Sequence, residues 1–286
     1  MTGALPVIAG SNFGYQRYPL RHCFAQMAAA GRTDFELWGI APHAHLPWLS
    51  DAQARALRAQ AADYGLRIRC LTPEQVSYPV NIASPDPELR RYSLRGFRRA
   101  AQLAAELGAE LLFLTAGCGG ALEEPERGFA RSAEGLAEIC GYAQELGLRC
   151  VLEPLQPSES NLVTTAGQAA AMLEAVRAPN LGVTLDTVAM AVAGESVEDY
   201  WRSVGDRLWH VHLIDGRPAG HLAWGDGWLD LRGILRDVVA GGYAGLLTVE
   251  LFGEGKYHAD PGAAHRRSAR AIEQVLGELS GHLGSN

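Results

Sequence analysis

Four stretches in the second half of the chain each bring up a residue able to bind a hard or borderline metal ion. Val-Leu-Glu-Pro carries Glu153, Thr-Leu-Asp-Thr carries Asp186, His-Val-His-Leu offers His210 and His212, and Val-Glu-Leu carries Glu250. Glu153, Asp186, His212 and Glu250 are separated by 33, 26 and 38 residues, about one strand-plus-helix unit each. Side chains alternate along a strand, so each ligand shares its face with the residue two before it: Val151, Thr184, His210 or Thr248. Three carboxylates in one apolar space would repel one another and take up protons; a divalent cation resolves the conflict. Two Glu, one Asp and one His make a mostly oxygen donor set. That set favours one Mn²⁺, with Mg²⁺ or Co²⁺ as alternatives, over structural zinc. The competing reading is that each acid caps the helix after its strand. Four acids or histidines at a repeating interval favour the ion.

Ligands delivered in this way need parallel strands that end on one side. Short apolar runs predict strands at residues 7–10, 35–38, 67–71, 111–115, 150–153, 182–186, 209–213 and 247–251. Ala- and Leu-rich amphipathic stretches predict helices at 20–30, 51–64, 87–107, 129–146 and 165–176, with weaker patterns at 197–204, 231–240 and 261–276. The alternation predicts a parallel sheet with right-handed crossovers. A single-domain (β/α)8 TIM barrel over residues 1–286 fits best, since such barrels need roughly 250 residues. The rival is a doubly wound open sheet, which carries a Gly-rich phosphate loop after its first strand. Here that place holds Gly-Ser-Asn-Phe-Gly-Tyr-Gln-Arg, neither GxGxxG nor a P-loop.

Bulk composition narrows the partners. Hydrophobic residues make up 48% and charged residues 20%, as in ordinary globular proteins. A formal net charge of -7 provides no broad basic surface, so no nucleic-acid partner is expected. Cys23, Cys70, Cys118, Cys140 and Cys150 are scattered without a CxxC pair, which points away from a disulfide framework and toward a reducing cytoplasm. The opening residues carry no basic n-region or long apolar stretch, and no secretion signal is expected. No run of about 18 apolar residues is present, so no membrane partner is expected either.

These residues resemble the xylose isomerase-like barrel superfamily and, within it, the 3-epimerases of ketoses and ketosamines. The stretch Leu-Glu-Pro-Leu-Gln-Pro-Ser-Glu-Ser-Asn is similar to a fifth-strand motif in which a metal-binding Glu (Glu153) precedes a substrate-binding Glu (Glu159) by six positions. Leu-Asp-Thr, His-Val-His and Val-Glu are similar to the motifs of the other ligands. Further matching stretches lie at 15–20, 36–39, 42–44, 72–74 and 78–81, so the likeness covers nearly the whole chain. The resemblance implies that Glu153 and Glu250 both hold the ion and exchange protons with the sugar, while Asp186 and His212 hold the ion only. It implies a small-molecule sugar substrate and a homo-oligomer, dimer or tetramer. One departure stands out: Ala189 occupies a position where enzymes of free ketoses carry a substrate-binding His. Arg217 lies one residue out of register with the substrate-binding Arg of the group.

Several residues have two readings. Trp38 and Trp224 suit either an apolar wall for the sugar or plain core packing. Glu36 faces substrate or a core partner, and His210 lines the barrel or is a satisfied core histidine. His43 and His45 sit in a long second loop, able to touch the far end of a substrate; Glu74 and Tyr78 follow the third strand, where a lid would lie. His221 precedes Gly225-Asp-Gly227, a turn by default that related barrels place near the metal. The same donors would also serve aldose–ketose isomerisation, sugar dehydration or cleavage of a 3-oxo C-glycoside. An AP endonuclease-like metal nuclease and a non-catalytic sugar-binding protein are the remaining alternatives.

Overall fold

Strands covered on both faces are mainly apolar, and Leu111–Thr115 is buried at every position. In the computed structural model, which describes residues 4–76, 79–252 and 255–283, eight such strands run parallel and close into a barrel. They are β1 (Val7–Ser11), β2 (Asp34–Gly39), β3 (Arg67–Pro73), β4 (Leu111–Thr115), β5 (Arg149–Glu153), β6 (Leu181–Asp186), β7 (Leu208–His212) and β8 (Leu246–Thr248). Neighbours in sequence are neighbours in space, and Val7, Ile8 and Ala9 pair with Leu246, Leu247 and Thr248 to complete the ring. The single-domain (β/α)8 architecture expected from the alternation is the one observed.

The helices are α1 (Leu20–Ala29), α2 (Asp51–Asp63), α3 (Pro87–Leu107), α4 (Pro125–Glu145), α5 (Ala166–Val176), α6 (Thr187–Val192), α7 (Val197–Val204), α8 (Leu231–Ala240) and α9 (Pro261–Leu283). Their ends are written in local chemistry. Ser50 and Gln53 form a capping box on α2, as do Ser196 and Asp199 on α7. Asp86 accepts from the Glu88 amide ahead of Pro87, which opens α3, and Gly108 closes it at φ 76°, a conformation only glycine adopts without strain. α6 was not expected from the sequence, because six residues are too few to show a helical period. α4 begins at Pro125, ahead of the expected 129, and α9 runs on to Leu283, past the expected 276.

Most of the apolar core lies between barrel and helices, with Phe24, Phe35, Leu103, Leu112, Met172 and Leu235 all buried. Inside the barrel a small plug of Cys70, Leu111, Phe113 and Val151 supports the layer above. That upper layer is polar. Register shifts between Phe35 and Glu36, and between Val183 and Thr184, fall beside it.

Candidate active site

β5, β6 and β7 end on Glu153, Asp186 and His212, and Glu250 stands two residues past β8. The ligand-capable atoms of Glu153, Asp186 and His212 lie within 4.8 Å of one another. His212 Nδ1 is 3.0 Å from Glu153 Oε1, 3.2 Å from Glu250 Oε2 and 3.9 Å from Asp186 Oδ2. The four residues therefore converge. Although close, Glu153 Oε1, Asp186 Oδ2 and His212 Nδ1 are all buried without a hydrogen-bond partner. Buried polar atoms are almost always satisfied, so three orphans facing one another define a place built for something else. Two hard oxygens and an imidazole nitrogen, with a third carboxylate alongside, fit a divalent cation.

Asp186 reconciles the two readings of its type. Its Oδ1 caps α6 by accepting from the Val188 and Ala189 amides at 2.8 and 2.7 Å, which leaves Oδ2 aimed into the cluster. The cap fixes the Asp186 rotamer, so the helix start and the candidate ion site share one side chain.

Beneath His212 lies Glu36, wholly buried, which takes its core reading rather than a substrate-facing one. Its Oε2 accepts from His210 Nε2 at 2.7 Å; its Oε1 accepts from His212 Nε2 at 3.1 Å and from the Thr72 hydroxyl at 2.5 Å. With Nε2–H committed to a carboxylate, Nδ1 is the nitrogen that faces Glu153 and Glu250, and it carries the lone pair whenever the imidazole is neutral. The Phe113 ring stacks on His212 at 5.1 Å between centroids and 8° between planes, which locks the imidazole from the side.

The buried carboxylates and imidazoles shift one another strongly. Burial first, then the neighbouring Asp186 and Glu250, pushes the Glu153 carboxyl well above the usual range. Asp186 is raised by burial and by Glu250. For Glu250 burial acts upward, but the imidazoles of His212 and His221 outweigh it and hold the carboxyl down. Burial disfavours a charged His212, yet Glu250, Glu36 and Glu153 together hold the imidazole well above its ordinary value. Glu36, against its own burial, is kept well below the carboxylate range by His212 and His210.

Above the cluster opens a cavity of about 350 Å³, a size suited to a monosaccharide. Phe13, Trp38, Phe113 and Phe252 give it an apolar side, with Trp38 stacked on Phe13 at 5.0 Å and edge-on to Phe252 at 5.2 Å. Glu74, Glu159, Ala189 and His221 also line it, and its described lining contains no Lys or Arg. Glu159 is raised by burial and accepts from the Gln156 amide at 3.1 Å.

Other expected contacts lie elsewhere. Both nitrogens of His43 are engaged, Nδ1 with the Asn12 amide at 2.9 Å and Nε2 with the Tyr18 carbonyl at 2.8 Å, and His43 is not part of the cavity wall. Arg217 donates from Nε to the Asp226 carbonyl at 2.7 Å and holds a turn. Trp224 is buried, donating to the Leu213 carbonyl at 3.2 Å. Tyr78 lies outside the described residues. Sequence reasoning left His221 as part of a turn, yet its Nε2 is 3.4 Å from Glu250 Oε2. Its position before Gly225-Asp-Gly227 was the one available signal; an aperiodic loop gives no other.

A closed (β/α)8 barrel with acidic and imidazole donors at the carboxyl ends of its late strands defines a class, and comparison with known proteins agrees: the chain belongs to the xylose isomerase-like TIM barrel family, whose model matches residues 24–275. Within that family it groups with the ketose 3-epimerases, enzymes of the isomerase class. It is 37% identical over 240 residues to fructoselysine 3-epimerase of Escherichia coli O157:H7, covering 83% of this chain and 87% of that protein. To D-psicose 3-epimerase of Agrobacterium fabrum it is 27% identical over 237 residues, 77% of this chain and 76% of the relative. A solved L-ribulose 3-epimerase superposes with a TM-score of 0.83 at 23% identity, covering 99% of each chain. No described helix is long and apolar enough to cross a membrane.

Proposed function

We propose that this enzyme epimerises a ketose or ketosamine at C3, using one divalent ion, Mn²⁺ first among the candidates and Mg²⁺ or Co²⁺ next. The observation that carries the reading is the trio of orphaned buried atoms on Glu153, Asp186 and His212, with Glu250 alongside. Those four residues would hold the ion. When bound, it would act as a Lewis acid, stabilising the negative charge that develops on the substrate's carbonyl and adjacent hydroxyl oxygens as the carbon-bound proton leaves.

The chain's own residues supply the rest. Glu153, at the end of β5, and Glu250, just past β8, lie three strands apart around the ring and act as the two bases. One removes the C3 proton from its face of the sugar; the other, already protonated, delivers a proton to the opposite face. Asp186 and His212 take no proton from the sugar. Trp38, with Phe13 and Phe252, covers the carbon face of the substrate, while Glu159 and Glu74 meet its hydroxyls. The absence of Lys and Arg from the described lining favours a neutral or cationic sugar over a phosphodiester, which weighs against the nuclease alternative. Fructoselysine, the substrate named for the 37% identical relative, is the first compound to try. A cytoplasmic homo-oligomer, dimer or tetramer, completes the proposal.

Ion binding provides the first test. Because Glu153, Asp186 and His212 all retain protons more strongly than usual, an entering ion must expel them. Falling pH therefore weakens binding. Calorimetric Mn²⁺ titration is expected to give one site per chain, with affinity falling about 10- to 100-fold from pH 8 to pH 6 and protons released to the buffer. Chelated protein is expected to convert no fructoselysine or free ketose, and added Mn²⁺ to restore turnover. Equal turnover by chelated and Mn²⁺-loaded protein would refute the ion-dependent mechanism, and pH-independent affinity would refute this ligand set.

A further inference from the structure

Among the described residues lining the cavity, His221 is the only histidine. The loop bearing it is built to hold it still. Asp215 pairs with Leu222 in an isolated bridge, and its carboxylate accepts from the Gly225, Gly227 and Leu229 amides at 3.1, 2.8 and 3.0 Å. A Cβ on Gly227 would come within 2.2 Å of Asp215 Oδ1, so glycine is required for that approach. The two amides after Leu222 are fixed from other elements: Ala223 donates to the Tyr257 hydroxyl at 2.8 Å, and Trp224 donates to Ser268 Oγ at 3.0 Å. Tyr257 in turn donates to Asp226 at 2.6 Å.

This scaffold presents the imidazole edge-on to Phe252, with Nε2 3.4 Å from Glu250 Oε2 and a ring nitrogen within 4.8 Å of an Asp186 oxygen. Carboxylates crowd this end of the cavity and, when ionised, only accept hydrogen bonds. The Gln75 amide, which also lines the cavity, is consumed by the Pro73 and Phe113 carbonyls and the Thr115 amide. A sugar hydroxyl between Asp186 and Glu250 therefore finds in His221 a group able to donate to its oxygen. Ala189, on the same wall, offers only a methyl group.

We propose that His221 is a substrate-positioning residue, whose Nε2 hydrogen-bonds the sugar hydroxyl lying between Asp186 and Glu250 and so fixes the reacting carbon against the Glu250 carboxylate. The inference rests on the epimerase reading above. Its test compares H221A and H221Q, the latter restoring a donor near the Nε2 position. Misplacing a reacting carbon slightly costs about 100-fold, so H221A is expected to lose about that factor in kcat/KM. H221Q is expected to recover about tenfold of the loss, in line with one regained hydrogen bond. Mn²⁺ affinity and melting temperature are expected to match wild type in both. An H221A variant with near-normal kcat/KM, an H221Q no better than H221A, or a loss of Mn²⁺ affinity that would make His221 an ion ligand each overturns the proposal. Should the wild type turn over no ketose, the epimerase reading fails by itself. His221 is then judged by calorimetric binding of sorbitol to the Mn²⁺-loaded protein. About tenfold weaker binding in H221A supports the positioning role, and unchanged binding overturns it.

Discussion

Replacing Glu153 or Glu250 with Gln is expected to lower kcat by at least about 10³-fold while leaving the fold intact, since general acid–base groups contribute about 10²- to 10⁴-fold and each of these residues would, on the proposed reading, also hold the ion. Glutamine keeps an oxygen for the ion and fills the same volume, but its amide takes no proton from carbon. The two variants are expected to fail differently. With one base gone, the other still removes a proton from whichever epimer presents its C3–H to that side. Each variant should then exchange that proton with solvent for one epimer only, without interconverting the two. Full activity in either variant would contradict the two-base mechanism. Loss of activity accompanied by loss of the ion would leave the base role to be judged from the partner variant, so ion content is measured beside turnover.

The second large effect is expected at Glu36, which never meets the substrate. Its carboxylate is wholly buried and accepts from His210, His212 and Thr72. Glu36→Ala would leave two imidazole N–H groups and a hydroxyl without acceptors and open a cavity. Removing one partner of a buried ionic cluster costs about 3–5 kcal/mol, so a marked fall in melting temperature is expected. Glu36→Gln preserves the volume but turns an N–H₂ toward at least one of the three donors, and a smaller destabilisation should follow. Both variants free His212 to rotate or to change tautomer, and Mn²⁺ affinity is expected to fall about 10- to 100-fold. Unchanged affinity in Glu36→Gln would mean that the carboxylate only fills space.

The barrel was legible because its strands are buried on both faces over most of their length, so they appear as short, mainly apolar runs, and because the amphipathic helices between them keep a helical period. Glu153, Asp186, His212 and Glu250 were legible for a different reason. Each occupies the end of a strand or the residues just after it, and the repeating interval survives without any loop geometry being known. The caps of Ser50 and Asp86 emerge only in the structure, and α6 is too short to show a period and rests on the Asp186 cap. Glu36 had two readings in sequence, since nothing there shows that it meets His210 across 174 residues. His43, Arg217 and His221 expose the real gap. All three are loop residues of suitable type, but only packing decides that His43 braces Asn12, Arg217 closes a turn and His221 reaches the cavity. Loop residues have no periodicity from which direction could be read.

The most direct test of this account is mass spectrometry of a ketose or fructosamine recovered from deuterium oxide after reaction with the Mn²⁺-loaded enzyme. Proton removal by one carboxylate and return by another that exchanges with solvent predicts a single deuterium, at C3 of the epimerised product, and none from chelated protein. Epimerised product without deuterium at C3, or label at C1 instead, would contradict it.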